Sequence, residues 1–66
     1  MAIMEVIAGE LYEHYTGKLY RVITLGMMDN YGKTKVMVVF RSEADPSLVY
    51  IRPHIQFRRK YKLVAK

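Results

Sequence analysis

Sixty-six residues with no cysteine and a formal net charge of +5 limit the chain to one small domain, without a disulfide staple or a cysteine-based zinc site. A domain this short buries only about 60% of its unfolded surface, so a hydrophobic fraction of 52%, high for its size, is expected to go into a dense core or between the subunits of a homo-oligomer. No run of about 18 apolar residues argues for a transmembrane helix, and Met1-Ala2-Ile3-Met4-Glu5 lacks the basic and long apolar regions of a signal peptide, so a cytoplasmic location is the expectation.

The apolar residues alternate or run in short blocks between turn signals, which is the all-β pattern. A first strand is expected across Ile3 to Tyr15, broken near Ala8-Gly9, where glycine suits a bend or bulge. Thr16-Gly17 predicts a tight hairpin. The second strand runs from Lys18 to about Met28, with Tyr20, Val22 and Thr24 on one face and Leu19, Arg21, Ile23 and Leu25 on the other. Asp29-Asn30-Tyr31-Gly32-Lys33 is a loop by composition. A third strand, Thr34 to Arg41, is apolar enough on both faces to be central, with Val36, Val38 and Phe40 opposite Met37, Val39 and Arg41. Asp45-Pro46 nucleates the next turn. The fourth strand, Leu48 to Arg52, ends at Pro53, which has no N–H to give to a ladder. His54-Ile55-Gln56-Phe57 has the length of one 3₁₀ turn, and Lys60 to Ala65 is a last short strand. Five short strands with one helical turn before the last predict a small SH3-like barrel filling residues 1–66, closed so that its edges do not aggregate. An OB-fold fits less well, because it usually has longer strands and a helix between the third and fourth.

Charge is unevenly placed along this chain. Five basic against six acidic side chains leave residues 1–51 at −1, while six basic and no acidic ones give residues 52–66 a charge of +6. A local patch of this kind attracts phosphate or acidic partners.

Two words carry polar groups beside aromatic rings: Tyr12-Glu13-His14-Tyr15-Thr16-Gly17 and Tyr50-Ile51-Arg52-Pro53. His14 has a bland reading, a hydrogen-bonded residue at the core rim, and a sharp one, a ligand contact. Arg52 is either an ion-pair partner of Glu10, Glu13 or Glu43, or a planar fork for a phosphate or carboxylate. Tyr12, Tyr15 and Tyr50 supply rings with polar tips, suited to a wet binding face or forced outward by a shallow core. Arg58-Arg59-Lys60-Tyr61-Lys62 reads either as a solvated edge or as a track for a nucleic-acid backbone.

These residues resemble a known family, the small bacterial domain of unknown function 1653. Its pattern is approximately G-x-Y-x-H-Y-K-G-x-x-Y-x-V, then H-S-E-T, then V-V-Y-R, then W-V-R-P-x-x-x-F. Tyr12, His14, Tyr15, Gly17, Tyr20 and Val22 are in register with the first word. Val38, Val39, Phe40 and Arg41 match the third, and Tyr50, Ile51, Arg52, Pro53 and Phe57 the fourth. The likeness covers roughly residues 9 to 63. Thr16 and Glu10 depart from the family's Lys and Gly. The H-S-E-T word is replaced by Met28-Asp29-Asn30-Tyr31-Gly32-Lys33, with two extra residues. The resemblance implies a compact β-barrel and no particular activity.

Catalysis is not expected. The chain has no cysteine nucleophile, no Ser or Thr at a catalytic spacing from a His, no Gly-rich phosphate loop and no spaced carboxylate pair. Metal binding is not expected either, since His14 and His54 have no supporting Cys or carboxylate spacing, and no cofactor is implied. The reading is a non-catalytic binding protein for an anionic, ring-bearing small molecule, such as a nucleotide or nucleotide-derived signal, acting as a sensor or a sponge. Tyr12, His14, Tyr15, Tyr50 and Arg52 are its expected ligand-binding residues. One alternative is a nucleic-acid-binding module using Arg58, Arg59, Lys60, Tyr61 and Lys62. Another is an SH3-like module taking an extended peptide in an aromatic groove.

Overall fold

The alternating pattern folds residues 6–65, the part described by the computed structural model, into five strands and one short helix. In chain order these are β1 (Leu11–His14), β2 (Leu19–Asn30), β3 (Lys33–Ser42), β4 (Val49–Pro53), α1 (His54–Lys60) and β5 (Tyr61–Ala65). All pair antiparallel in a single sheet of order β4-β3-β2-β1-β5. The small all-β fold expected from the sequence is confirmed, with β3 inside the sheet as its two apolar faces require. Among the described residues no ladder joins the two edge strands, β4 and β5. The chain between them is α1. The described helix is too short to cross a membrane.

Several expectations are corrected. The helical segment is a seven-residue α-helix, not one 3₁₀ turn. Arg58, Arg59 and Lys60 fill its last turn, where cations oppose the negative end of the helix dipole, and the extended Tyr61 ends it by donating its N–H to the Phe57 carbonyl. The first strand is shorter than expected. Ile3, Met4 and Glu5 lie outside the described residues, and the chain turns at Ala8-Gly9 before β1 begins. That turn stays attached to the sheet, because the Gly9 N–H donates to the Val22 carbonyl at 2.8 Å and the Val22 N–H to the Glu10 carbonyl at 2.9 Å. The segment 29–33 is a tight hairpin rather than a loop. Asn30 pairs with Lys33, and the intervening Tyr31 and Gly32 both have positive φ, 52° and 75°, as a type I′ turn demands.

The Thr16-Gly17 turn forms as predicted. The His14 N–H donates to the Lys18 carbonyl at 2.8 Å, and the Gly17 N–H to the His14 carbonyl at 2.8 Å. Gly17 has a φ of 94°, a conformation that residues with a Cβ adopt at a cost.

One face of the sheet holds the core. Val38 and Phe40 on β3, Val22 on β2, Tyr12 on β1 and Tyr61 on β5 are buried there. Phe57 of α1 lies across them, its ring 4.9 Å from Tyr12 and Phe40 and stacked at 4.3 Å on Tyr61. Val6 completes the cluster. The opposite face is apolar as well but uncovered. A register shift after Val22 turns both Ile23 and Thr24 outward as a bulge does, breaking the alternation expected of β2. Pairing places Val39 beside Ile51 and Thr24 on that face, and Met37 beside Pro53 and Gly26.

Candidate functional site

Antiparallel partners point to the same side of a sheet, so register decides where the two polar-aromatic words face. Arg52 pairs with the buried Val38 and Tyr50 with the buried Phe40, which places both on the core side. Tyr12 pairs with Tyr20, and His14 with the buried Tyr61. Both words therefore face inward, one from each half of the sheet. Tyr20 links them. Its ring lies 6.4 Å from that of His14, 5.8 Å from Tyr50 and 5.5 Å from Tyr61.

Where the two halves meet the C-terminal end of α1, a cleft of about 310 Å³ opens between His14, Arg52, Gln56, Arg59, Lys60 and Tyr61. This is the lower end of the range for small-molecule sites. Three full cations and no carboxylate line it. Tyr61 forms a wall, its ring 4.8 Å from the imidazole of His14. Burial raises the pKa of the Tyr61 hydroxyl, and Tyr20 adds to the effect; the positive charge of Arg52 opposes it.

His14 is half-buried and oriented by its own turn. The Thr16 N–H donates to its Nδ1 at 3.3 Å, and the Thr16 hydroxyl lies 2.8 Å from the same atom. With Nδ1 accepting, the neutral ring carries its proton on Nε2. The imidazole can therefore donate from the atom that the turn does not use.

Two of the three expected ion-pair partners of Arg52 are engaged elsewhere, and the third, Glu13, makes no ion pair among the described residues. Glu43 binds Arg21 at 2.7 Å and Arg41 at 3.3 Å, and the Arg21 hydrogen bond leads in holding its carboxyl below the ordinary range. Glu10 is buried, at 4% exposure, and accepts from the Ile7 N–H at 2.8 Å and the Tyr12 hydroxyl at 3.1 Å. Among the described residues Arg52 makes no ion pair. Arg41, by contrast, is held in an ion pair with Glu43.

The five expected ligand residues separate in space. His14 and Arg52 border one cleft. Tyr15, 76% exposed, leans its ring within 4.2 Å of His14 and lines an adjoining depression. Tyr50 sits behind the cleft, stacked on Phe40 at 5.6 Å, and is a packing residue more than a lining one. Tyr12 is a core residue, 6% exposed. Burial first, then the hydrogen bond and charge of Glu10, push its hydroxyl up to about 12. A strand of alternating faces put Tyr12 and His14 on one side, and the helix then covered the former and left the latter at the rim.

The nucleic-acid alternative is redistributed too. Arg59, Lys60 and Tyr61 line the same cleft as His14 and Arg52, so the two sets of candidates share one place. Tyr61 is buried rather than presented on an edge. Gln56, which also lines the cleft, carried no sequence signal: only the helical turn brings it there.

The family profile described as "Protein of unknown function (DUF1653)" matches residues 10–64. The chain belongs to this family. No curated protein and no solved structure matches it. The residues that carry the family resemblance lie on β1 and its turn, on β2, β3 and β4, and at Phe57 of α1. The segment that departs from the family pattern forms the tip of the β2–β3 hairpin. Ten strand positions, or about 33 Å at the usual rise, separate Asn30 from Tyr20 along β2. That segment therefore lies far from the cleft, whereas Thr16, which also departs from the pattern, contacts the cleft residue His14.

Proposed function

We propose that this protein is a non-catalytic binding protein for an anionic, ring-bearing small molecule of the nucleotide class, held in the cleft between His14 and Arg52. The observation that carries this reading is the arrangement of Arg52, Arg59 and Lys60 around one concave site without a lining carboxylate. Arg52 offers its fork to a phosphate, with Arg59 and Lys60 beside it. His14 donates from Nε2, and the His14–Tyr61 wall gives the ring of the ligand an aromatic surface. A sensor or a sponge needs no more than this.

The reading includes self-association. Ile51, Val49 and Ile23 are exposed, and the register places Ile51 beside Val39 and Val49 beside Arg41 on the face of the sheet turned away from the cleft. A second copy of the chain is the natural cover for a surface that leaves the binding side free.

A nucleic-acid reading draws on Arg58, Arg59, Lys60 and Lys62 around the end of α1 and the start of β5. The two readings are separated by mass spectrometry of small molecules released from natively purified protein, run beside Arg52→Ala. A nucleotide-class compound bound to the wild type and lost from Arg52→Ala supports the small-molecule reading. Protein that carries none, and binds no nucleotide at millimolar concentration, refutes it.

A further inference from the structure

The cleft does not end at its aromatic wall. A second depression, of about 440 Å³, shares His14, Arg59, Lys60 and Tyr61 with it and continues to Tyr15, Arg58 and Lys62. Cations therefore stand along the whole length: Arg52 at one end, Arg59 and Lys60 at the junction, Arg58 and Lys62 at the other end. Glu13 is the one acid in this second depression. It is the register neighbour of Lys62, and the four basic residues outnumber it by three.

Tyr15 marks the second half as a stacking position. Its ring is largely exposed, so core packing does not explain it. It is nevertheless fixed: its N–H donates to the Lys60 carbonyl at 3.1 Å, and its ring leans on His14. An aromatic ring held in place beside a row of cations is the arrangement that takes one base of a phosphate-linked chain.

We infer that the two depressions are paired subsites for two nucleotides joined by a phosphodiester, one held at Arg52 and His14 and the next stacked on Tyr15. This inference rests on the nucleotide reading of the cleft and adds its length and direction. A mononucleotide fills the first subsite. A second nucleotide reaches Tyr15 with the linking phosphate near Arg59 and Lys60.

The test compares the four nucleoside 5′-monophosphates with the corresponding 5′-phosphorylated dinucleotides by calorimetry, on the wild type, Tyr15→Ala and Lys62→Ala. The wild type is expected to bind a dinucleotide about tenfold or more tighter than the mononucleotide. Tyr15→Ala should lower that ratio about tenfold, and Lys62→Ala should lower it less, with a shallower salt dependence. Equal affinity for both lengths, with a ratio that neither variant moves, overturns the paired subsites and leaves the nucleotide cleft standing. No binding of either length overturns both. A 5′-phosphorylated tetranucleotide separates the two sources of such a ligand. Affinity that stops rising at two nucleotides assigns a free dinucleotide, and affinity that keeps rising assigns the end of a single strand. Both of those outcomes support the paired subsites.

Discussion

His14 on β1 and Arg52 on β4 lie 38 positions apart in the chain, on strands separated by two others in the sheet, and yet they border the same cleft. The sheet bends enough for this because its concave side is filled with aromatic rings at short range, with Tyr20 touching both halves. Neither side chain is consumed by the fold. His14 uses Nδ1 locally, and Arg52 makes no ion pair among the described residues.

That relationship predicts coupled losses of binding. Arg52→Ala should weaken a bound nucleotide about ten- to a hundredfold, the effect of removing a charge-assisted hydrogen bond. Arg52→Lys should also lose affinity, because an ammonium does not reproduce the planar fork. His14→Ala should weaken the same ligand by a smaller factor, with thermal unfolding close to that of the wild type. Calorimetric titration of the three variants is the check. Unchanged affinity in both alanine variants would rule out the shared cleft as the binding place.

Tyr12 and Glu10 make the contrasting case. Tyr12→Phe leaves a buried Glu10 oxygen with the Ile7 N–H alone, and should cost about 1–3 kcal/mol in stability without changing ligand affinity. The pH dependence has a definite sign. The folded-state pKa of Tyr12 is raised from 10.0 to about 12, so the unfolded chain loses this proton first as pH rises. The contribution of the neutral hydroxyl is complete below pH 10.0 and disappears as pH climbs to about 12. Denaturant unfolding across that range should show the wild type losing stability more steeply than Tyr12→Phe. Parallel curves would refute the assignment.

The third and fourth strands and the Thr16-Gly17 turn were legible in the sequence because each obeys a local rule: an apolar run between turn signals for β3, positive φ for Gly17, the missing N–H for Pro53. The helix was not. His54 to Lys60 is too short for a helical period to show, and Phe57 is its one buried residue. That single ring, packed on Tyr12, Phe40 and Tyr61, holds the segment to the sheet. The same helix decided the site. It buried Tyr12, brought Gln56 and Arg59 to the cleft, and joined the basic patch to the His14 and Arg52 words. None of these consequences follows from spacing along the chain, because all depend on where one helix lands. The hairpin at Tyr31 was missed for a different reason: tyrosine is a rare residue at positive φ, and only the following glycine signalled the turn.

Tyr31 predicts a stabilising change. It is 97% exposed with a φ of 52°, so it contributes little packing and holds a backbone conformation that disfavours a bulky side chain by about 1–2 kcal/mol. Asparagine tolerates this conformation, and Asn-Gly is the preferred type I′ pair. Tyr31→Asn should therefore raise the denaturation midpoint, and Gly32→Ala should lower it. A Tyr31→Asn variant less stable than the wild type would refute the assignment of backbone strain to Tyr31.

The uncovered face of the sheet predicts the state of assembly. Ile51 is exposed on the edge strand β4 and sits beside Val39, with its side chain directed away from the Arg52 side. If a second copy covers this face, light scattering at micromolar concentration should give a mass at least double that of the 7.8 kDa chain. Ile51→Glu should then shift the mass to a single chain, since burying an unpaired carboxylate at an apolar contact is strongly unfavourable. The variant should keep its fold, because Ile51 lies outside the core. It should also keep its ligand affinity, because the cleft opens on the other side. A wild-type protein that remains one chain at high concentration would refute the association. An Ile51→Glu protein that stays associated would move the contact to another surface.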